Sequence, residues 1–183
     1  MSFLKKLYYK LTKTPYTDEE VCKYFIDRIR AGGGHVGENV SIYDSGIDLG
    51  EPYFISIGNN VTITGVKLLT HDASTKKALG YTKTGKVTIG NDVFIGWGSV
   101  ILPNTVIGSR VIIGAGTVVA KDVPDGVVVC GNPMRVLCTY DEYLERQKKK
   151  MEELPVIDLY PEEILKDPTV IEKLKNAGSG YLL

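Results

Sequence analysis

From Val87 onward the chain sets an aliphatic residue at every sixth position: Ile89, Ile95, Ile101, Ile107, Ile113 and Val119. Glycine follows directly at Gly90, Gly96, Gly108 and Gly114, and a small or β-branched residue stands two places before each aliphatic one: Val87, Val93, Ser99, Thr105, Val111 and Thr117. Alternate side chains of a strand share a face, so each such pair points inward together, while the residue between them, such as Phe94, points out. A fixed six-residue period is the mark of a solenoid and predicts a parallel β-helix whose units are short strands closed by turns. Gly58-Asn59-Asn60, Gly90-Asn91-Asp92 and Lys121-Asp122 carry the residue types such corners favour. The unit also appears earlier, at Val36–Asn39 with Ile42 and at Ile57-Gly58 with Ile63 and Leu69. The step of twenty residues from Leu69 to Ile89 is no multiple of six, so residues 71–86 are expected to leave the coil as an excursion loop.

Helical patterns flank the solenoid. Thr17-Asp18-Glu19-Glu20 reads as a capping box ahead of Val21, Tyr24, Phe25 and Ile29, and Gly32-Gly33-Gly34 ends that helix. Thr139-Tyr140-Asp141-Glu142 is a second such box, opening a helix to about Glu153 in which Lys148-Lys149-Lys150 form a solvated face. Pro161-Glu162-Glu163 is expected to open a last short helix. The organisation is therefore a helical segment over 1–34, a β-helix domain over 35–138 and a helical extension over 139–183. End pieces of this kind cover solenoid edges that would otherwise pair with other chains.

With a formal net charge of zero, the chain offers no broad attraction to nucleic acid. Its three cysteines, Cys22, Cys130 and Cys138, show no paired spacing, which suits a reducing compartment and a cytoplasmic location. Lys5, Lys6 and Lys10 interrupt the N-terminal apolar residues Phe3, Leu4, Leu7 and Tyr8. That pattern lacks the apolar run of a signal peptide and fits either a packing helix or a helix lying on a membrane surface.

The hexads, the segment Leu68-Leu69-Thr70-His71-Asp72 and the ending Val119-Ala-Lys-Asp-Val-Pro124 with Gly131-Asn-Pro-Met-Arg135 resemble the hexapeptide-repeat acyltransferases. The branch most similar is the maltose and galactoside O-acetyltransferase type, which includes enzymes acting on surface polysaccharides. The resemblance spans roughly residues 30–145. It implies a left-handed parallel β-helix, a homotrimer with sites between subunits, acetyl-CoA as co-substrate, a sugar or glycan acceptor and no metal.

Acyl transfer to a hydroxyl needs a group that accepts the hydroxyl proton, and the chain holds two histidines. His71 stands where the repeat breaks and matches the family's catalytic base; His35 has no such match. Asp72 can orient the imidazole, contact the acceptor together with Tyr81, or cap the loop turn. The resemblance gives the oxyanion-donating backbone N–H to Trp97 and a coenzyme A path to Trp97, Ala115, Gly116, Ala120, Lys121 and Arg135, the last two meeting phosphates. A basic residue present near position 138 in some relatives is Cys138 here. Xenobiotic or serine acetylation and N-acylation of an amino sugar remain alternatives within the fold, and a β-solenoid scaffold is the non-enzymatic one. A carbonic anhydrase on this solenoid needs three histidines per metal and has too few.

Overall fold

The computed structural model describes residues 17–183; the N-terminal amphipathic stretch lies outside them. Thr17 caps helix α1 (Asp18–Ala31) as the sequence suggests: its Oγ1 accepts the Glu20 N–H at 3.2 Å, and its own N–H donates to Glu20 Oε2 at 2.9 Å. Val21, Phe25 and Ile29 turn into the core, with Tyr24 packed at its margin. The chain then winds through four coils. The first holds β1 (His35–Val36), β2 (Val40–Tyr43) and β3 (Gly46–Ile47), and the second β4 (Ile55–Ile57), β5 (Val61–Thr64) and β6 (Lys67–Leu68). An excursion follows, with β7 (His71–Asp72), a short helix α2 (Lys76–Leu79) and β8 (Lys83–Thr84). The third coil holds β9 (Val87–Ile89), β10 (Val93–Ile95) and β11 (Val100–Ile101), and the fourth β12 (Thr105–Ile107), β13 (Val111–Ile113) and β14 (Val118–Val119). Each coil gives one strand to each of three parallel sheets, β1-β4-β9-β12, β2-β5-β10-β13 and β3-β6-β11-β14. The second sheet continues into β15 (Val127–Cys130) and ends on antiparallel β16 (Arg135–Thr139).

Stacking puts like on like. Ile42, Ile63, Ile95 and Ile113 form one inward column, and Ile57, Ile89 and Ile107 another. All twelve inward positions read from the hexads are at most 2% exposed, whereas Phe94 is 43% exposed, so the inside-outside assignment holds. The buried hydroxyls are satisfied within the coil: Ser99 and Thr117 donate to the Gly114 carbonyl at 3.1 and 2.5 Å. Ile95→Ala is expected to cost about 2–5 kcal/mol of stability, because a packed column of rigid strands collapses poorly around a cavity. Denaturant unfolding checks it.

The two early coils depart from the six-residue spacing. The inward residue is Leu68, fully buried and stacked between Ile47 and Ile101, not the half-buried Leu69. From Ile42 to Ile47 and from Ile63 to Leu68 the corner takes five residues, where Ile95 to Ile101 and Ile113 to Val119 take six. Gly65, at φ +58°, turns the shorter corner. The extra residue of the third-coil corner is Trp97, since Gly98 N–H donates to the Gly65 carbonyl at 3.1 Å while Gly96 stacks further on.

A side-chain ladder closes the corner between the first and second sheets. Asn59 Oδ1 accepts the Glu38 N–H and Asn91 Oδ1 the Asn59 N–H, both at 2.8 Å; Ser109 Oγ then accepts the Asn91 N–H at 3.1 Å and Asp125 Oδ1 the Ser109 N–H at 2.7 Å. Each residue after the ladder position adopts the left-handed region that Asn and Asp tolerate, at Asn60, Asp92 and also Arg110. The Gly-Asn corners read from the sequence thus bond one coil to the next.

The chain divides into two compact units, the second being Asp141–Leu183. From its second residue on, α3 (Tyr140–Glu153) belongs to this unit, followed by β17 (Val156–Ile157), α4 (Pro161–Ile164), α5 (Pro168–Ala177) and β18 (Tyr181–Leu182). Tyr181 Oη donates to Gln147 Oε1 at 3.0 Å, and β17 pairs in parallel with β18. The sequence reading expects a single short helix after Pro161. Asp167, which accepts the Thr169 N–H at 3.0 Å, instead starts a second one, and strands of two residues are too short to show a period. Among the described residues no helix is long and apolar enough to cross a membrane.

Candidate functional site

His71 begins the excursion. Gly85 N–H donates to the Thr70 carbonyl at 2.8 Å and closes its neck, and β7 and β8 pair His71 with Thr84 and Asp72 with Lys83. Inside the loop, Thr75 Oγ1 donates to the Tyr81 carbonyl at 2.7 Å; Tyr81 itself is 80% exposed.

The imidazole is held from the coil below. Its Nδ1 lies 2.5 Å from Asp48 Oδ2 and 3.2 Å from Glu51 Oε2. Thr70, fully buried, places its Oγ1 3.0 Å from the same Asp48 oxygen and 3.1 Å from the same Glu51 oxygen, and its N–H donates to Asp48 at 3.3 Å. Gly50 N–H donates to the other Asp48 oxygen at 3.1 Å. The ring remains 43% exposed, and its Nε2 has no hydrogen-bond partner among the described residues. Fixing Nδ1–H on a carboxylate sets the tautomer that leaves Nε2 as acceptor.

The electrostatics follow from this arrangement. The negative charge of Asp48 raises the His71 pKa above its ordinary value; partial burial opposes the shift, and the Glu51 hydrogen bond and charge add to it. Burial alone would push Asp48 up, but the Gly50 N–H, the Thr70 hydroxyl and N–H and the imidazolium charge together hold it below the usual carboxylate range. Asp72 is engaged elsewhere. Hydrogen bonding from Lys83, with Nζ–Oδ2 at 2.6 Å, and from the Ser74 N–H at 2.8 Å brings its pKa to about 2. Of the three roles open to Asp72 in the sequence, the structure shows it as the cap of the loop turn, and the residues orienting the imidazole are Asp48 and Glu51.

Neither was nominated from sequence, although a signal existed. Ile42 pairs with Ile63, a coil length of 21 residues that sets His71 above Gly50, between Asp48 and Glu51.

The other nominated residues fall at two different corners. Ala120 and Lys121, both exposed, follow β14 at the corner between the third and first sheets, the corner His71 also occupies. There Asp122 Oδ1 accepts the Val106 N–H at 2.8 Å, a turn contact. Trp97, Ala115 and Gly116 lie at the corner between the second and third sheets, at the far end of the third-sheet strands. Arg135 is exposed on β16 opposite Cys130, and Cys138 lies opposite Val128. At the Trp97 corner, the Gly96 and Gly98 N–H groups are taken by the Ile113 and Gly65 carbonyls at 2.8 and 3.1 Å, whereas the coil ladder does not use the Trp97 N–H between them.

Asp48, Glu51 and His71 bring one donor atom each within 4.8 Å of one another, a spacing that would also accept a cation. The same carboxylate oxygens, however, already serve the imidazole Nδ1 and Thr70. That arrangement orients a ring without help from an ion.

Known proteins carry the same coil. A family profile described as "Bacterial transferase hexapeptide (six repeats)" matches residues 86–121. Protein CapG of Staphylococcus aureus is 42% identical over 147 residues, covering 76% of this chain and 81% of CapG. Among solved structures, a maltose O-acetyltransferase from Clostridium difficile 630 is 30% identical with a TM-score of 0.52, covering 74% of this chain and 84% of that one. A galactoside acetyltransferase in complex with coenzyme A is 32% identical with a TM-score of 0.50, covering 62% and 58%. The chain spans about half the length of other curated relatives it matches, 51% and 52% for two of them. The shared architecture is the left-handed parallel β-helix. With its repeat and most of its length shared in this way, the chain belongs to the hexapeptide-repeat acetyltransferase family.

Proposed function

We propose that the protein is an acetyl-CoA-dependent O-acetyltransferase that moves acetyl to a hydroxyl of a sugar or polysaccharide precursor in the cytoplasm. The observation that carries this reading is the His71 imidazole, pinned through Nδ1 by Asp48 and Glu51 with its Nε2 exposed. The acceptor oxygen attacks the thioester carbonyl while its proton passes to Nε2, and the carboxylates stabilise the imidazolium that forms. Charge on the carbonyl oxygen is met by the Trp97 N–H. Collapse restores the carbonyl and breaks the C–S bond, and the departing thiolate takes the proton back from His71. No covalent enzyme intermediate is needed.

His71 and Trp97 stand at different corners of one solenoid. They can serve one acetyl group only if neighbouring subunits supply one each. We therefore assign the protein to a closed homotrimer of side-by-side solenoids with parallel axes. The small residues Ala115, Gly116 and Ala120 leave room for the pantetheine arm, Lys121 and Arg135 meet the phosphates, and Asp72 and Tyr81 on the excursion face the acceptor. The sugar acceptor is supported by the names of the maltose and galactoside relatives.

Sedimentation should give a trimer, and purified protein with acetyl-CoA and a panel of saccharides should release free thiol only when an acceptor is present. Lys121→Ala and Arg135→Ala should each weaken acetyl-CoA binding by about tenfold or more, the effect of losing a charge-assisted hydrogen bond. Calorimetry reads this directly, and unchanged affinity in both would remove them from the site.

A further inference from the structure

Trp97 is the added residue of its corner, and its indole has been given a place to lie. A Cβ at Gly65 would stand 2.1 Å from Trp97 Cδ1 and 2.4 Å from Nε1, so the ring rests on the bare backbone of Gly65. It is nevertheless 69% exposed. The ring therefore folds back from the third coil onto the second and leaves the fourth-coil residues Ala115 and Gly116 open. The second coil is also the one that delivers His71.

Heights along the solenoid then decide what the indole faces. Rotation about a threefold axis parallel to the coil axis leaves every atom at its own height. In the trimer proposed above, on which this step rests, His71 of the neighbouring subunit stands at the level of this chain's second coil. The thioester carbonyl, met by the Trp97 N–H, lies within reach of the acceptor hydroxyl, and the pantetheine arm runs away from it along the later coils, spaced about 4.8 Å apart. The indole is thus level with the acceptor hydroxyl and not with the pantetheine arm.

We infer that Trp97 is a specificity-determining residue whose exposed indole face stacks against the pyranose ring of the acceptor. One face of a pyranose presents C–H groups, which pack favourably on the electron-rich face of an aromatic ring. An acyclic polyol offers hydroxyls to the same base but no such face. The chain should therefore discriminate cyclic from open-chain acceptors through Trp97.

The test uses the intact protein, methyl glycopyranosides as acceptors and sorbitol as the open-chain control. Trp97→Ala keeps the backbone N–H. It should raise KM for the preferred pyranoside by about tenfold or more, a larger change than it makes in KM for acetyl-CoA or in the rate of sorbitol transfer, with the sedimentation coefficient unchanged. Trp97→Phe, which keeps a flat ring, should recover part of the loss. Trp97 is the single tryptophan of the chain, so its emission in the unmutated protein should shift on pyranoside addition and not with sorbitol. A raised KM for acetyl-CoA with an unchanged acceptor KM would overturn the inference and leave the acetyltransferase reading standing. So would dissociation of the Trp97→Ala trimer, which would make the indole a subunit contact. Failure of the unmutated protein to acetylate any saccharide would instead remove the function on which the inference rests.

Discussion

His71→Ala should lower the rate of acetyl transfer by about 10²–10⁴, the usual contribution of a positioned general base, with acetyl-CoA affinity and trimer assembly intact. The imidazole is exposed and its contacts are confined to the two carboxylates beneath it, so removing it opens no cavity in the coil. Its role is toward the acceptor proton, which is why kcat should carry the loss. His35 is also exposed, on β1 of the first coil, and its pairing is through backbone to Ser56. His35→Ala is therefore the control and should stay near the parent rate. Equal losses in the two variants, or retained turnover without His71, would reject His71 as the base.

The coil was legible because its period is written directly in side chains that must be inside. From Val87 to Val119 every expected inward residue is buried. The reading slipped at Leu69, where it carried a six-residue step across a corner of five. The left-handed glycine is common to both corners, Gly65 at φ +58° and its counterpart Gly98 at φ +75°, and the shorter corner differs in lacking a residue equivalent to Trp97. The candidate base was legible because the chain has two histidines and one of them stands at the break in register. Its partners were not, since Asp48 and Glu51 lie more than a strand away in sequence and meet His71 only through the stacking of one coil on the next. Local spacing around His71 pointed to Asp72, whose nearest cation, Lys83, arrives through a hairpin that the hexad pattern does not encode. The two-residue pairing of β17 with β18 was hidden for the same reason: its partners are set by the fold and not by a local repeat.

The Asp48→Asn, Glu51→Gln double variant should lose nearly as much as His71→Ala, about 10²–10⁴ in rate, although the imidazole remains. Asp48→Asn alone leaves Glu51 Oε2 at 3.2 Å from Nδ1 as a second anchor, so its loss should be smaller, about 10–100-fold. The pH profile separates orientation of the base from mere support of the fold. Only neutral histidine accepts the acceptor proton. The carboxylates favour the charged ring and raise its pKa, so in the parent enzyme activity should disappear as pH falls through a midpoint above the ordinary 6.5. Removing both negative charges should bring that midpoint down toward about 6.5, so the double variant keeps a larger share of its own reduced maximum in mild acid. A lower maximum with an unmoved midpoint would mean that Asp48 and Glu51 shape the corner without acting on the imidazole. An unchanged maximum would mean that His71 needs no partner to work.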